Sequence, residues 1–231
     1  MKTVGIICAM DKEIAYIRDN FGAVLVDEKY QIYKASFEGK EIIACVSGIG
    51  KVNSAVSTQR IIHTYSPDCI INVGVAGGLD KSLSVLDMVI GEDTMYHDFS
   101  PLSLLEEEKN LGTSVFACDK RLVSLAQKAC EKMKAEGKIK GFVKGRILSG
   151  DCFVESDELS RRLREELNGS CVEMEGAAIS QTCILNGISS FLVIRSISDF
   201  ADGNAGMSYD SFSSLAAVQA GETIREIIKG L

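Results

Sequence analysis

At 231 residues, 46% hydrophobic and 25% charged, the chain is long enough to bury one large α/β core, and a single domain over residues 1–231 is expected. A net charge of −7 without a basic cluster argues against a nucleic-acid partner, while leaving the charge of a local pocket open. The eight cysteines form no C-x-x-C pair and, with only His63 and His97 beside them, show no metal-ligand spacing; they read as small buried thiols in a reducing compartment.

Lys2 to Met10 reads as a first strand, and Asp11 as the cap of a helix with Ile14, Ile17 and Phe21 at core spacing. The opening apolar run is too short for a secretory signal, and no span approaches membrane-crossing length, so a cytoplasmic protein with no membrane partner is expected. Glu13 lies in the first helical turn, where an acidic residue favours a helix N-terminus as readily as it serves chemistry. Val24 to Ser47 has a β pattern, with Glu38-Gly39-Lys40 as a turn. Ser47-Gly48-Ile49-Gly50-Lys51-Val52-Asn53 is a glycine turn into a helix over 52–65, stopped by Pro67. It is a degraded dinucleotide-type G-x-G-x-x-G, with Asp68 near the acidic position; the milder expectation is that its backbone N–H groups face a ligand.

Cys69 to Val75 is a buried strand running into Gly74-Val75-Ala76-Gly77-Gly78, read either as a tight turn or as backbone that a ligand approaches closely. Asp87 to Gly91 is a further strand. Residues 99–118 lack a clear period and carry Glu106-Glu107-Glu108, which predicts an exposed excursion or lid. A helix follows over 120–136, then a strand over 142–149 ending in Ser149-Gly150-Asp151-Cys152-Phe153-Val154, then a helix capped by Ser156 up to Leu167. Cys171-Val172 leads into Glu173-Met174-Glu175, and Gly176 opens a helix that stops at Asn186-Gly187. Phe191 to Ile194 is an apolar strand that turns polar through Arg195, Ser196, Ser198 and Asp199. Open α/β proteins bind ligands at such strand ends, so Glu173/Glu175 and Asp199 are expected around one site. Ser208 is the expected cap of the last helix.

Seven stretches together carry a resemblance: G-I-I-C-A-M-D-K-E-I, S-G-I-G-K-V, I-N-V-G-V-A-G-G-L, Y-H-D, S-G-D-C-F-V, V-E-M-E-G-A-A-I and R-S-I-S-D-F-A-D. In this order and spacing the chain resembles the 5′-methylthioadenosine/S-adenosylhomocysteine nucleosidases, a family of the nucleoside phosphorylase superfamily. The resemblance implies a three-layer α/β/α fold with a mixed central sheet, a homodimer and no cofactor. It implies hydrolysis of the N-glycosidic bond of small-molecule adenine thioribosides, and of 5′-deoxyadenosine, in methionine salvage and recycling of S-adenosylmethionine by-products. By motif match, Glu13 acts on water and Asp199 protonates the base. Met174 and Glu175 hold the ribose, Phe153 stacks on adenine, and the Val154 backbone reads the base edge. Ala76 and Gly77 lie along the ribose and base. Met10, Ile49 and Tyr209 line the 5′-alkylthio pocket, with the partner subunit's 99–105 region beside them. Val75 stands where familiar members carry a hydroxyl residue near the water, and the 99–112 segment is unlike the familiar form.

The chemistry accounts for these residue types. Adenine is a poor anionic leaving group, so a positioned acid must protonate N7 as the bond breaks. Asp199 then needs a raised pKa, from burial or from a hydrogen bond supplied by Ser198. Ribose gains oxocarbenium character, and a base must take a proton from the attacking water, a task that suits Glu13. An ionised Glu175 accepts hydrogen bonds only, which suits two ribose hydroxyls. The competing account of Asp199 is an ion pair with Arg195 at the strand end. Two rival functions share the fold. A phosphorylase would need arginines around phosphate oxygens, where the first strand–helix turn offers Asp11 and Glu13. A non-catalytic adenosine sensor would be expected to have lost Glu13, Glu175 or Asp199.

Overall fold

The computed structural model describes residues 1–99 and 115–231. The chain opens with β1 (Thr3–Cys8), α1 (Asp11–Phe21), β2 (Val24–Asp27), β3 (Ile32–Phe37), β4 (Lys40–Val46) and α2 (Lys51–Tyr65). It continues through β5 (Cys69–Gly78), β6 (Met88–Tyr96), β7 (Val115–Ala117), α3 (Lys120–Ala135) and β8 (Phe142–Ser149). The last elements are α4 (Asp157–Leu167), β9 (Gly169–Glu173), α5 (Gly176–Leu185), β10 (Phe191–Asp199) and α6 (Ala205–Gly230). All described strands belong to one mixed sheet, as expected. Its open wing runs β2-β3-β4-β1-β5, with β2, β3 and β4 antiparallel and β1 parallel to both β4 and β5.

The other half closes on itself. β5 pairs with β10, β10 with β6, β6 with β8, β8 with β9, and β9 returns to β5 at Gly77 and Gly78. Closure needs strands long enough to change partners and bent enough to do so. β5 pairs with β1 over Cys69–Asn72 and with β9 at its far end, and the register of β10 against it shifts between Ile197 and Asp199. Such irregularities turn a strand and aim side chains at sheet rims. Of the two readings of Gly74–Gly78, the tight turn does not hold: the stretch is strand.

Helices cover both sides: α1, α3 and α6 pack together on one, and α2 and α5 pack together on the other. The main core lies between, around Ile6, Ile7, Ile70, Ile71, Phe191 and Ile194. Seven of the eight cysteines are buried, and all are free thiols; Cys152 is exposed. Two caps differ from expectation. Met10, not Asp11, precedes α1, because the Met10 N–H is already satisfied by Glu13 Oε2 at 3.0 Å. α6 starts a turn early, after Asn204, since the Ser208 N–H bonds the Asn204 carbonyl at 3.1 Å. β6 runs on to Tyr96, well past Gly91, because β8 pairs with it along that length. No described helix is long and apolar enough to cross a membrane.

Candidate active site

The C-terminal ends of β1, β5, β9 and β10 meet the start of α6 around a cavity of about 490 Å³. Glu13, Ala76, Gly77, Met174, Glu175, Ser198 and Asp199 line its inner part, and Met10, Ile49, Phe153 and Tyr209 its wall. Val154 lines a small adjoining cleft together with Gly77, Phe153 and Asp199. Arg195 reaches neither space.

Glu13 is 4% exposed, and its carboxylate bridges the turn after β1 and strand β5. Oε2 accepts from the N–H groups of Ala9 at 2.8 Å and Met10 at 3.0 Å, while Oε1 accepts from Val75 N–H at 3.1 Å. Val75 thus contributes through its backbone, whatever its side chain. Burial pushes the Glu13 pKa up; Arg195 and these three N–H groups pull against it. The result is a buried carboxylate with raised proton affinity, facing the cavity and fixed in place.

Arg195 does not pair with Asp199. β10 places it opposite Gly74 of β5, and its guanidinium turns to the Asn72 amide oxygen and to Glu173, with Glu175 Oε2 at 3.9 Å. Asn72 in turn donates to the Ile7 carbonyl at 2.9 Å. Glu173 also accepts from the Ser149 hydroxyl and from the N–H groups at the start of α5, Glu175 at 3.1 Å and Gly176 at 2.8 Å. Strand alternation breaks at this point, and Glu175 reaches the cavity from a non-helical residue just before α5. Burial first, then the Glu173 charge, pushes Glu175 up to about 8. Glu175 therefore holds a proton more tightly than an exposed glutamate does.

Asp199 is 2% exposed. Ser198 donates its hydroxyl to Oδ2 at 2.8 Å, and the Ala201 N–H donates to Oδ1 at 2.9 Å. Burial raises its pKa despite both bonds, which favour the charged form. Two glycines make room for the two carboxylates. A Cβ on Gly74 would meet the Glu13 carboxyl, and one on Gly77 would stand 2.8 Å from Asp199 Oδ1 and 2.9 Å from the Ala201 methyl. Gly77 also borders the cavity, so close approach there serves side chain and ligand alike.

The glycine turn before α2 behaves differently from expectation. Its N–H groups face protein carboxylates: Gly50 donates to Glu175 Oε1 at 2.9 Å and Lys51 to Asp151 Oδ1 at 2.8 Å. Asp68, the acidic member of the dinucleotide pattern, instead accepts from Thr3 N–H at 3.0 Å at the start of β1. Lys51 Nζ holds both Asp98 oxygens at 2.8 Å and lies 3.6 Å from Asp151 Oδ2, while Asp151 N–H donates to Asp98 at 2.8 Å. This cluster fastens the turn that holds Glu175 to the loop that carries Phe153. Sequence reading missed it, because its three members lie far apart in the chain. Asp210 also lines the cavity and was missed; its neighbour Tyr209 was the only signal. Of the expected cross-subunit wall, residues 100–105 lie outside the described residues.

The chain matches the family model of the phosphorylase superfamily over residues 3–229. It is 36% identical to the 5′-methylthioadenosine/S-adenosylhomocysteine nucleosidase of Staphylococcus carnosus, over 99% of this chain and 100% of that one. The Neisseria meningitidis enzyme of the same name, solved in complex with methylthio-immucillin-A, is 37% identical with a TM-score of 0.91, each chain covered in full. The futalosine hydrolase of Helicobacter pylori is 31% identical with a TM-score of 0.89, covering 100% of this chain and 98% of that one. Full-length identity at this level, with the carboxylates gathered in one cavity, places this chain in the phosphorylase superfamily as a member of its 5′-methylthioadenosine/S-adenosylhomocysteine nucleosidase family.

Proposed function

We propose that this cavity hydrolyses the N-glycosidic bond of 5′-methylthioadenosine and S-adenosylhomocysteine, with Glu13 as general base and Asp199 as general acid. The observation that carries the roles is the pair of buried carboxylates, one on the first turn of α1 and one at the end of β10, facing one cavity and both with raised proton affinity. Water attacks C1′ and gives a proton to Glu13. The C1′–N9 bond breaks, its electron pair goes to the base, and Asp199 delivers a proton to N7. Adenine leaves neutral, together with the 5-thioribose product. Ser198 orients the acid through its 2.8 Å bond. Glu175 and Met174 hold the ribose, Phe153 stacks on the base, and the Val154 backbone reads its edge. Arg195 takes a positioning role, binding Glu173 beneath Glu175 and lowering the proton affinity of Glu13.

A homodimer fits the surface. Ile49, Val52 and Val56 at the start of α2, and Ile184 and Leu185 at the end of α5, are exposed on two helices that pack together. The Helicobacter pylori relative makes futalosine-type nucleosides a necessary member of any substrate panel.

Adenine release from 5′-methylthioadenosine tests the roles. Glu13→Gln keeps shape and removes only the base, so kcat should fall at least a hundredfold with KM little changed. A 7-deaza substrate, which cannot be protonated at that position, should be cleaved far more slowly by the unaltered protein. Ready cleavage of the 7-deaza compound would refute Asp199 as the N7 acid, and near-normal turnover by Glu13→Gln would refute the base.

A further inference from the structure

Beyond the reacting carboxylates, the outer wall of the cavity changes character over a few residues. Met10, Ile49, Phe153 and Tyr209 form an apolar collar, with the Tyr209 hydroxyl on the Met10 sulfur at 3.1 Å and the Phe153 ring edge-on to Tyr209 at 5.7 Å. Charge begins beside that collar. Asp210, next to Tyr209 on α6, lines the cavity with its carboxylate side chain exposed. Lys12, two residues from Met10, holds its Nζ 4.2 Å from the centre of the Tyr209 ring and 2.9 Å from the Ser213 hydroxyl.

Among the described residues neither Asp210 nor Lys12 belongs to an ion pair. Lys12 thus has an ammonium without a carboxylate partner, in a chain of net charge −7, held by a hydroxyl and by the ring of a cavity-lining tyrosine. The Asp210 carboxylate, one residue along α6 from the same tyrosine, likewise has no ion-pair partner among the described residues. An apolar collar followed by one anion and one cation matches a thioether chain that ends in an α-amino acid.

We infer that Asp210 and Lys12 read the zwitterionic end of a 5′-thioether substrate, Asp210 accepting from its α-ammonium and Lys12 meeting its α-carboxylate. The inference rests on the nucleosidase reading of the cavity and divides its substrates in two. A methylthio substituent stays within the collar and never reaches the charges. A homocysteine tail passes the collar and meets both. Asp210 is exposed among the described residues, so each contact is given the size of an exposed ion pair, about two- to fivefold in kcat/KM.

The test is initial-rate adenine release from four thioethers: 5′-methylthioadenosine, S-adenosylhomocysteine, its deamino analogue and its decarboxy analogue. Each is used with the unaltered protein, Asp210→Asn and Lys12→Met. The readout is the ratio of kcat/KM to that for 5′-methylthioadenosine, which cancels any common effect of a substitution on folding or on Glu13. Asp210→Asn should lower the S-adenosylhomocysteine ratio about two- to fivefold through KM and leave the deamino ratio unchanged. Lys12→Met should do the same, leaving the decarboxy ratio unchanged. Raising salt should shrink the preference of the unaltered protein for the full tail. Equal ratios in all three proteins, or equal losses on the tail and its truncated analogues, would overturn the inference. Absence of adenine release from 5′-methylthioadenosine by the unaltered protein would overturn the nucleosidase reading first, and the inference with it.

Discussion

Replacing Gly74 by alanine isolates the placement of the base from its chemistry. Gly74 does not have a left-handed backbone, so alanine imposes no conformational penalty there. Its methyl would stand 3.0 Å from the Glu13 carboxyl carbon, closer still to Oε1, and 3.4 Å from Arg195 Nη1. Ordinary contact begins near 3.4 Å, so the carboxylate must retreat by about half an ångström or more. Retreat is resisted on the Oε2 side, where Ala9 and Met10 hold it at 2.8 and 3.0 Å, and costs the 3.1 Å bond from Val75 on the Oε1 side. A misplacement on the order of 1 Å costs about a hundredfold in rate, or about 2.7 kcal/mol. Overpacking costs a further ~1–3 kcal/mol of stability, which a melting curve reads as a fall of a few degrees. Adenine itself, which the proposed mechanism seats at the Asp199 end, should bind as before. The assay pairs steady-state adenine release with calorimetric titration of adenine into the folded variant. Turnover within threefold of normal would show that the Glu13 position is not critical. A parallel loss of adenine affinity would show general damage, and either result refutes the reasoning.

Other substitutions probe the charges around the site. In Glu175→Gln the side-chain oxygen can still accept the Gly50 N–H, while the group that burial pushes to about 8 no longer titrates. A carboxylate raised in the folded state loses stability as pH climbs from its unfolded value toward 8, by up to about 1.4 kcal/mol per pH unit, so the variant should melt like the parent near pH 4.5 and progressively higher from pH 5 to 8. A melting difference independent of pH would contradict that, and its activity on ribosides should fall in any case. Lys51→Met removes the ammonium that holds Asp98 at 2.8 Å and Asp151 at 3.6 Å. Both loops at the mouth loosen, KM should rise several-fold, and Lys51→Arg should restore part of it; an unchanged KM would show that the cluster only stabilises the fold. Adenine release should be indifferent to added phosphate, and formation of a ribose 1-phosphate would refute the choice of water.

Much of this was legible because it is local. The Ser156 cap, the strand from Phe142 to Ser149 and the polar end of β10 are each written in a few neighbouring residues. The seven stretches of resemblance brought Glu13, Glu175 and Asp199 to notice, and the fold brings them to one cavity. What stayed hidden is non-local. The stretch Gly74–Gly78 allows two readings, a tight turn or backbone that a ligand approaches; its glycines are strand residues, and the missing Cβ atoms of Gly74 and Gly77 admit side chains from α1 and β10. Arg195 lies four residues from Asp199 on one strand, which suggests a pair; the register of β5 and the approach of β9 offer it Asn72 and Glu173 instead. Sheet closure depends on β9 returning to β5, and no local pattern encodes that contact.

The same cluster accounts for the nucleophile. Glu13, Glu173 and Glu175 share one buried guanidinium, so the four groups together carry an excess of negative charge when all are ionised. Burial, against the pull of Arg195, raises the proton affinity of Glu13 and Glu175. A phosphate ion entering here would add negative charge beside carboxylates, and Arg195, the cation it would need, is occupied by Glu173 and Asn72. Water brings no charge and meets no such cost. It meets a carboxylate whose raised pKa makes it a stronger base than an exposed glutamate, held by three N–H groups against the drift that a single bond would allow. On the proposed mechanism, selection of water over phosphate and activation of that water thus have one physical source, the crowding of carboxylates around Arg195.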